Sequence, residues 1–364
     1  MSFAFYRYPH EKEYTAVSQH GDAVQFGAYN ELNGCSGFVF APFRISERHP
    51  LLLIRPDRVE RRKVPEDADI TDYTTLCGAS CSDGHAMTDA EGYQRYAEVF
   101  SRFHSRLTDG TFSKIVLSRC SDISFSGPLH AENLFMRACS LYPRMFIALV
   151  STPQSGIWLM ATPEILVERK DGRWHTVALA GTMRIGNNDT DDDLSLRRQE
   201  GDISEWSNKN IAEQRHVSSY IKECLGRFAV NVSMTRAYTA RAGMVKHLKS
   251  DFMFDVCNGG DIGCLIDSLH PTPAVCGLPK REVYEFIAGN EGYDRAYYSG
   301  FAGPLSCCGE THLYVTLRCM SIDGNSARLY AGGGLMPESE VDNEWLETEA
   351  KMETMRRCLL TRKI

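Results

Sequence analysis

The sequence lacks the two features that would take it into or across a membrane. No apolar run reaches the length of a membrane span, and the N-terminus MSFAFYRYPHEKEY has no apolar core typical of a signal peptide. None of the thirteen cysteines forms a CxxC pair, so no zinc site is expected. Without an export signal, the cysteines are interpreted as reduced thiols, and the protein is predicted to be cytoplasmic.

Signals for nucleotides and nucleic acids are also missing. The glycine turns AGTMRIG (180–186) and AGGG (331–334) match neither GxGxxG nor the phosphate loop GxxxxGK[ST]. The formal net charge is −7, and the basic residues are scattered apart from RVERRK (58–63). This charge argues against binding to nucleic acid or to an anionic membrane.

The composition is that of a globular protein, with 43% hydrophobic and 24% charged residues over 364 positions. Hydrophobic periodicity predicts helices and strands that alternate irregularly along the chain. The predicted helices are 89–107 (capped by Asp89), 129–143, 203–225, 279–289 and 341–359. The predicted strands include 36–56 (as two short strands), 113–120, 144–152, 228–238, 297–306 and 312–322, with hairpins at Asp171-Gly172 and Asp323-Gly324. Together they predict one large α+β domain.

Two charged residues stand at the start of apolar strands. Lys114 precedes Ile-Val-Leu in SKIVLSRC, and Glu164 precedes Ile-Leu-Val in TPEILVER. Each could simply be a solvated strand end. Alternatively, a desolvated lysine could act as a base, and a buried carboxyl with a raised pKa could act as an acid.

Two more charges fall on inward positions. Glu213 lies on the apolar stripe of the 203–225 helix, where a carboxylate needs a cation from a side chain or a metal. Arg318 lies in the apolar run YVTLRCMSI, where a guanidinium needs an anion. For Arg318, an internal ion pair and a bound ligand remain equal alternatives.

The last helix carries EWLETEAK (344–351). About 100° per residue places Glu344, Glu347 and Lys351 together on the shoulder of its apolar stripe. They could form an ordinary i,i+4 pair on a wet surface or line a cleft. Inward carboxylates with arginine, lysine and glycine amides would suit Mg²⁺ and a small molecule with several carboxylates.

Several strings in this order resemble the chorismate-utilising enzymes, a family that includes isochorismate, salicylate, anthranilate and aminodeoxychorismate synthases. They are LHPTPAVCGLPKREVYEFI (269–287), DRAYYSGFAGPLS (294–306), VTLRC (315–319), ARLYAGGGLMPES (327–339) and EWLETEAK (344–351). The resemblance covers about 90–360. It implies a single chorismate-binding-type domain with two antiparallel sheets flanked by helices. Residues 1–88 would be a variable N-terminal part packed on the same domain, and 89–364 the catalytic core.

The resemblance also implies Mg²⁺, chorismate and a set of site residues. Glu213 and Glu347 would be metal ligands, with Glu344 as a close or water-mediated partner. The substrate-binding residues implied are Gly181, Thr182, His270, Tyr298, Arg318, Gly332, Gly334 and Lys351, of which Arg318 and Tyr298 would hold the pyruvyl carboxylate. One departure is Gln214, where family members often have histidine.

Two positions favour water as the nucleophile within the family. Ammonia-using members usually lack a lysine at the position of Lys114, and aminodeoxychorismate synthases carry a nucleophilic lysine where this chain has Ala180. The resemblance therefore predicts an isochorismate synthase: Lys114 takes a proton from water attacking C2, and Glu164 donates one to the departing C4 hydroxyl. Salicylate synthase, or an isochorismate synthase of a siderophore pathway rather than of menaquinone synthesis, remains an alternative. No surface feature demands a partner chain, so a monomer is expected.

Overall fold

Antiparallel strands form most of this computed structural model, which describes residues 1–65, 90–184, 203–242, 245–256, 261–306 and 309–359. The strands are β1 (Ser2–Arg7), β2 (Glu13–Gln19), β3 (Val24–Phe26), β4 (Gly37–Ala41), β5 (Leu51–Ile54), β6 (Arg58–Lys63), β7 (Lys114–Ser124), β8 (Phe146–Thr152), β9 (Gly156–Thr162), β10 (Ile165–Lys170), β11 (Arg173–Arg184), β12 (Ala229–Met234), β13 (Tyr238–Ala242), β14 (Val245–Val256), β15 (Gly277–Leu278), β16 (Phe301–Leu305), β17 (Thr311–Val315), β18 (Cys319–Asp323) and β19 (Ser326–Leu335). The helices are α1 (Ala90–Thr108), α2 (Ala131–Leu141), α3 (Asn208–Leu225), α4 (Ile262–Leu269), α5 (Lys280–Asn290) and α6 (Val341–Leu359), with a 3-10 turn at Tyr29–Leu32. No helix in these ranges is both long and apolar enough to cross a membrane.

The strands make two sheets. The first has the order β15-β7-β19-β18-β9-β8-β1-β2-β6, and the second has the order β12-β14-β11-β10-β17-β16-β4-β5-β3, with β13 also paired to β14. Every pairing is antiparallel, and β1 to β6 complete one end of each sheet. The predicted α+β class with two antiparallel sheets flanked by helices is confirmed.

The sheets pack face to face and helices cover their outer faces. Between them, the ring of Phe146 on β8 stacks on that of Tyr314 on β17, with centroids 4.1 Å apart. Helices α3 and α4 pack on the outer face of the second sheet, and α2 and α6 on that of the first. Helices α1 and α5 cover β7 at the edge of the first sheet. The core is thus built in layers, helix on sheet on sheet on helix.

Local signals set most element ends. The hairpin between β10 and β11 turns at Asp171 (φ +51°) and Gly172 (φ +80°), which confirms the predicted Asp-Gly turn. Helix α3 begins at Asn208 rather than Ile203, because the Ser207 hydroxyl accepts a hydrogen bond from the Asn210 N–H. Asp89, predicted to cap the first helix, lies outside the described residues.

The prediction of one continuous strand over 312–322 was wrong. The segment holds β17 in the second sheet and β18 in the first, joined by a crossover that contains Arg318. Both strands are buried, so the hydrophobic pattern runs on without a break and conceals the crossing. Arg318 itself adopts φ +45°, a conformation that a strand residue would not have.

Candidate active site

A cleft opens between the sheets where β7 and β19 face β11 and the start of β14. It contains about 620 Å³ of empty space, part of it open to solvent. Such a concave site at the junction of two layers is where a small ligand binds. Nine of the candidate residues line it: Glu164, Gly181, Thr182, Glu213, Tyr298, Arg318, Gly332, Gly334 and Lys351.

Lys114 is fully buried at the first position of β7. The short strand β15 pairs with this end of β7, opposite Lys114 and Ile115, and so shields it from solvent. A Cβ at Gly277 on β15 would lie 2.3 Å from the Lys114 carbonyl oxygen, so this close pairing requires glycine. The Lys114 Nζ lies 2.9 Å from Glu213 Oε1, although the angle is too poor for a hydrogen bond. The alternative of an exposed strand end is excluded.

Glu164 is also buried, with 4% of its surface exposed. Its backbone N–H donates to the Thr162 hydroxyl at 3.2 Å in the turn between β9 and β10. Burial raises the pKa of the Glu164 carboxyl to about 7, against the opposing effect of Lys114, Lys351 and Arg318. The solvated alternative is excluded here too, and the carboxyl can hold a proton near neutral pH.

Three carboxylates converge on the glycines of β19. A Cβ on Gly334 would lie 2.2 Å from Glu213 Oε1, and one on Gly333 would lie 2.9 Å from Glu344 Oε2 and 3.5 Å from Glu347 Oε1. Side chains on this strand would therefore displace the carboxylates. Glycine allows α3 and α6 to bring their acids to the same strand.

Each of these carboxylates faces a lysine. Lys114 pairs with Glu213, Lys209 with Glu344, and Lys351 with Glu347 at 2.7 Å. The Lys351 ammonium also donates to the Gly332 carbonyl at 2.8 Å. Both interpretations of EWLETEAK therefore hold in part, because its i,i+4 pair exists and Lys351 of that pair lines the cleft.

The carboxylates have the chemistry expected of a site for a hard divalent cation. Glu344 Oε2 is buried and accepts no hydrogen bond from the described residues. Burial and the neighbouring charge of Glu347 raise the pKa of Glu344 to about 7. Oxygen ligands of this kind are preferred by Mg²⁺, which would relieve the repulsion. No three His, Cys, Asp or Glu side chains in the described ranges stand close enough to form a metal site by themselves; Mg²⁺ is commonly held by one or two carboxylates, with water and substrate oxygens in the remaining positions.

The opposite side of the cleft carries the arginine. Burial lowers the pKa of the Arg318 guanidinium only to about 10, so it remains a cation at neutral pH. One of its nitrogens, Nη2, lies 2.6 Å from His247 Nε2. The buried Tyr298 ring stacks on Tyr330 with centroids 5.6 Å apart. The crossover between sheets, rather than a strand, presents Arg318 to the cleft.

Some residues differ from expectation. His270 is not among the residues that line this cleft: it is buried between the rings of Tyr29 and Phe301, where desolvation lowers its pKa to about 3. Sequence reasoning missed Lys209 and His247. The spacing of Lys209, four residues before Glu213 on one helix face, was an available signal. Nothing in the local sequence VKHLKSD (245–251) distinguishes His247 as a site residue.

Comparison with known proteins supplies an independent line of evidence. A family model described as "Chorismate binding enzyme" matches residues 74–360. The isochorismate synthase MenF of Escherichia coli (strain K12) is 30% identical over 274 residues, which cover 74% of this chain and 61% of that protein. The isochorismate synthase DhbC of Bacillus subtilis (strain 168) is 30% identical over 263 residues, 70% of this chain and 65% of that protein. The chain therefore spans less than two thirds of the length of these relatives.

The fold is also similar to a solved structure. The structure of MenF, the menaquinone-specific isochorismate synthase from Escherichia coli, matches with a TM-score of 0.78 and 22% sequence identity. The match covers 99% of this chain and 89% of that one. It supports the layered arrangement of sheets and helices.

Proposed function

Since this chain belongs to the chorismate-binding enzyme family, we propose that it is an isochorismate synthase, which converts chorismate to its isomer isochorismate. One observation carries the proposal. A buried carboxyl with a pKa of about 7, Glu164, lines the cleft, and a buried amine, Lys114, reaches the cleft through Glu213, which also lines it. That combination suits two proton transfers at separate points of one small substrate. The two relatives described above are named as isochorismate synthases.

The charges of the cleft suit a substrate with two carboxylates. Arg318 and Tyr298 would bind the pyruvyl carboxylate of chorismate, and Lys351 with the amides around Gly332 and Gly334 would face the other end. A guanidinium and an ammonium bind carboxylates through charge-assisted hydrogen bonds. Gly181 and Thr182 complete the lining.

Glu213 and Glu347 would hold Mg²⁺, with Glu344 beside them. Such a cation, when bound, supplies electron withdrawal through the ring carboxylate of the substrate. Because Lys114 and Lys351 pair with these same carboxylates, ligation of a cation by the acids would free the Lys351 ammonium for a substrate carboxylate and the Lys114 side chain, as a neutral amine, for proton transfer. The acids of α3 and α6 thus hold the lysines in place until the ligands arrive.

The proton transfers follow from the two buried groups. Lys114 accepts a proton from the water that attacks C2, while Glu164 donates its proton to the C4 hydroxyl, which leaves as water. The ring double bonds shift between the two carbons. One water enters and one leaves, so the product has the mass of the substrate and the reaction is reversible.

The choice of water as nucleophile depends on two positions. Ala180, which precedes Gly181 and Thr182, offers no side-chain nucleophile, and Lys114 provides a base. We further propose that the product serves menaquinone synthesis, since the solved relative MenF is a menaquinone-specific isochorismate synthase. Residues 1–88 are proposed to be a variable part of the domain whose core is 89–364.

The product mass tests the proposal. Purified protein is incubated with chorismate, with and without MgCl₂, and the products are separated and weighed by mass spectrometry. A new species of unchanged mass that requires MgCl₂ supports isochorismate synthesis. Free pyruvate would instead identify a salicylate synthase, and unreacted chorismate in both samples would contradict both activities.

A further inference from the structure

His247 lies at the start of β14 beside the cleft and has no part in the proton transfers described above. It is buried, with 6% of its surface exposed. Its Nδ1 lies 2.8 Å from the Gly181 carbonyl oxygen, and its Nε2 lies 2.6 Å from Arg318 Nη2. The ring therefore bridges β11 at Gly181 and the crossover between the sheets.

The chemistry of these two partners determines the state of the ring. A carbonyl oxygen only accepts hydrogen bonds, so Nδ1 must carry a proton. A guanidinium only donates, so Nε2 must offer a lone pair. His247 is therefore a neutral imidazole with its proton on Nδ1. Burial, together with the charges of Arg318 and Lys351, lowers its pKa well below the ordinary range, in agreement with this state.

Both partners belong to the site. Gly181 lies at an irregularity in the pairing of β11 with β14, with φ +73°, and its N–H donates to Glu213 Oε2 at 3.1 Å. A continuous series of contacts thus runs from Arg318 through His247 and Gly181 to Glu213. The imidazole is the member of this series that connects the anion-binding side of the cleft to the carboxylate side.

A neutral acceptor is well suited to this position. A carboxylate next to Arg318 would neutralise the guanidinium and compete with an incoming anion. An apolar side chain would leave both the guanidinium and the Gly181 carbonyl without these bonds in a buried site. A neutral imidazole accepts from the guanidinium and orients it without adding a negative charge beside it.

We propose that His247 is a positioning residue that orients the Arg318 guanidinium toward a carboxylate of the substrate and fixes the Gly181 bulge of β11 against Glu213. This inference rests on the proposed function. In this role, the neutral Nε2 of His247 affects the affinity for the substrate and not the rate of the chemical step.

Three substitutions of similar size separate this role from a structural one. His247→Gln places an oxygen acceptor near the position of Nε2, His247→Asn can retain only the bond to Gly181, and His247→Glu places a carboxylate against Arg318. We expect KM for chorismate to rise no more than about 5-fold in His247→Gln, about 10- to 100-fold in His247→Asn, and most in His247→Glu, with kcat changed much less. Thermal unfolding of each variant verifies that it is folded.

The order of the three KM values is the decisive result. Equal KM values in the glutamine, asparagine and glutamate variants, or a fall in kcat with KM unchanged, would overturn the proposal. A second measurement needs no turnover. In ¹⁵N-histidine spectra of the wild type, the signal that disappears in His247→Gln should be that of a neutral ring protonated on Nδ1 from pH 6 to 8, and a charged or Nε2-protonated ring would contradict the inference. Should the wild type leave chorismate unreacted, the proposed function fails, while this tautomer and the affinities for chorismate, measured by calorimetry, still test His247.

Discussion

The ionised side chains of the cleft are arranged as pairs. Lys114 and Glu213 are both buried, and either one alone would be a charge taken out of water without compensation. Substituting one member of the pair therefore has two effects. The chemical role of that residue is lost, and the remaining member becomes an unpaired charge in a buried site. Substitutions that keep the size of the side chain and a polar group at its end therefore test the chemical role separately from the folding of the site.

Lys114→Gln should abolish turnover while chorismate still binds. Glutamine can face Glu213 but cannot take a proton from water, and the loss of a general base lowers kcat by about 10²- to 10⁴-fold. Steady-state kinetics and calorimetric binding of chorismate measure the two effects separately. Lys249→Gln is the matched control, because Lys249 also pairs with a carboxylate, Asp251 at 3.0 Å, away from the cleft. Retention of more than a tenth of wild-type kcat would remove Lys114 as the base.

Glu164→Gln should lower activity and raise stability. The wild-type acid must be protonated to donate, so kcat is expected to fall as the pH rises through about 7. The same raised pKa means that the contribution of Glu164 to stability is complete below about pH 4.5 and is lost as the pH rises through 7. At pH 8 the neutral amide should therefore unfold less readily than the wild type, by up to about 3 kcal/mol.

Urea denaturation at pH 5 and pH 8, together with the pH profile of kcat, checks this prediction. We expect a difference in unfolding free energy between wild type and Glu164→Gln at pH 8 that largely disappears at pH 5. A wild-type profile without an alkaline decline near pH 7, or a variant that is destabilised equally at both pH values, would show that Glu164 is not a protonated acid.

At the scale of elements, two helices that are distant in sequence meet at one glycine strand. Helix α3 contributes Glu213 and Lys209, and α6 contributes Glu344, Glu347 and Lys351. The acids approach β19 where it lacks side chains. Ligand binding at this junction should therefore tie α3 to α6 and stabilise the whole core.

Mg²⁺ should raise the unfolding temperature of the wild type, and Glu347→Gln should remove most of that increase. A ligand that binds only the folded state adds about 1.4 kcal/mol at ten times its Kd, and losing a carboxylate ligand weakens the binding. Differential scanning fluorimetry across a MgCl₂ titration measures the shift. Glu353→Gln is the control on the same helix, since Glu353 is partly buried, does not line the cleft and pairs with Arg357. An identical MgCl₂ response in wild type and Glu347→Gln would exclude Glu347 as a ligand.

Periodicity predicted the elements better than it predicted their burial. The helical wheel grouped Glu344, Glu347 and Lys351 correctly, yet placed Glu344 on a shoulder, whereas it is 1% exposed. The difference arises from β19, whose glycines let α6 approach more closely than ordinary side chains would. Only the packing of one element on another reveals this, because a wheel describes a helix in isolation.

Polar residues that act through tertiary contacts were the least predictable. His247 has no neighbour in sequence that marks it, since its partners Gly181 and Arg318 lie 66 and 71 positions away. The crossover at Arg318 was concealed for a related reason: the flanking strands and the Thr316 and Arg318 side chains between them are buried, so no exposed turn marks the change of sheet. The local sequence pattern predicts which face of a helix or strand is apolar. The site, however, forms where elements that are distant in sequence pack together.

At the scale of the molecule, the second sheet carries a row of charges away from the cleft. Glu168 on β10 bonds His175 at 2.7 Å and His312 at 3.0 Å, and His175 also bonds Asp251 at 2.9 Å. The row thus crosses four neighbouring strands, β17, β10, β11 and β14. Burial lowers the pKa of His175, but the hydrogen bonds to Asp251 and Glu168 outweigh it and raise the pKa overall.

This row should make the stability of the fold depend on pH, and His175→Gln should reduce the dependence. A histidine whose pKa is raised on folding stabilises the protein fully below about pH 6.5, and this contribution is lost as the pH rises through the folded value. Removing it should destabilise the protein by about 2 kcal/mol at pH 6 and by less at pH 8. Urea denaturation at both pH values gives the difference in unfolding free energy between variant and wild type. The titration of Glu164 contributes equally to both proteins and cancels in this difference. As a control, His20→Gln, at an exposed pair with Asp57, should change the unfolding free energy at neither pH. If His175→Gln instead lowers the unfolding free energy equally at pH 6 and pH 8, the His175 ring is not charged in the folded protein.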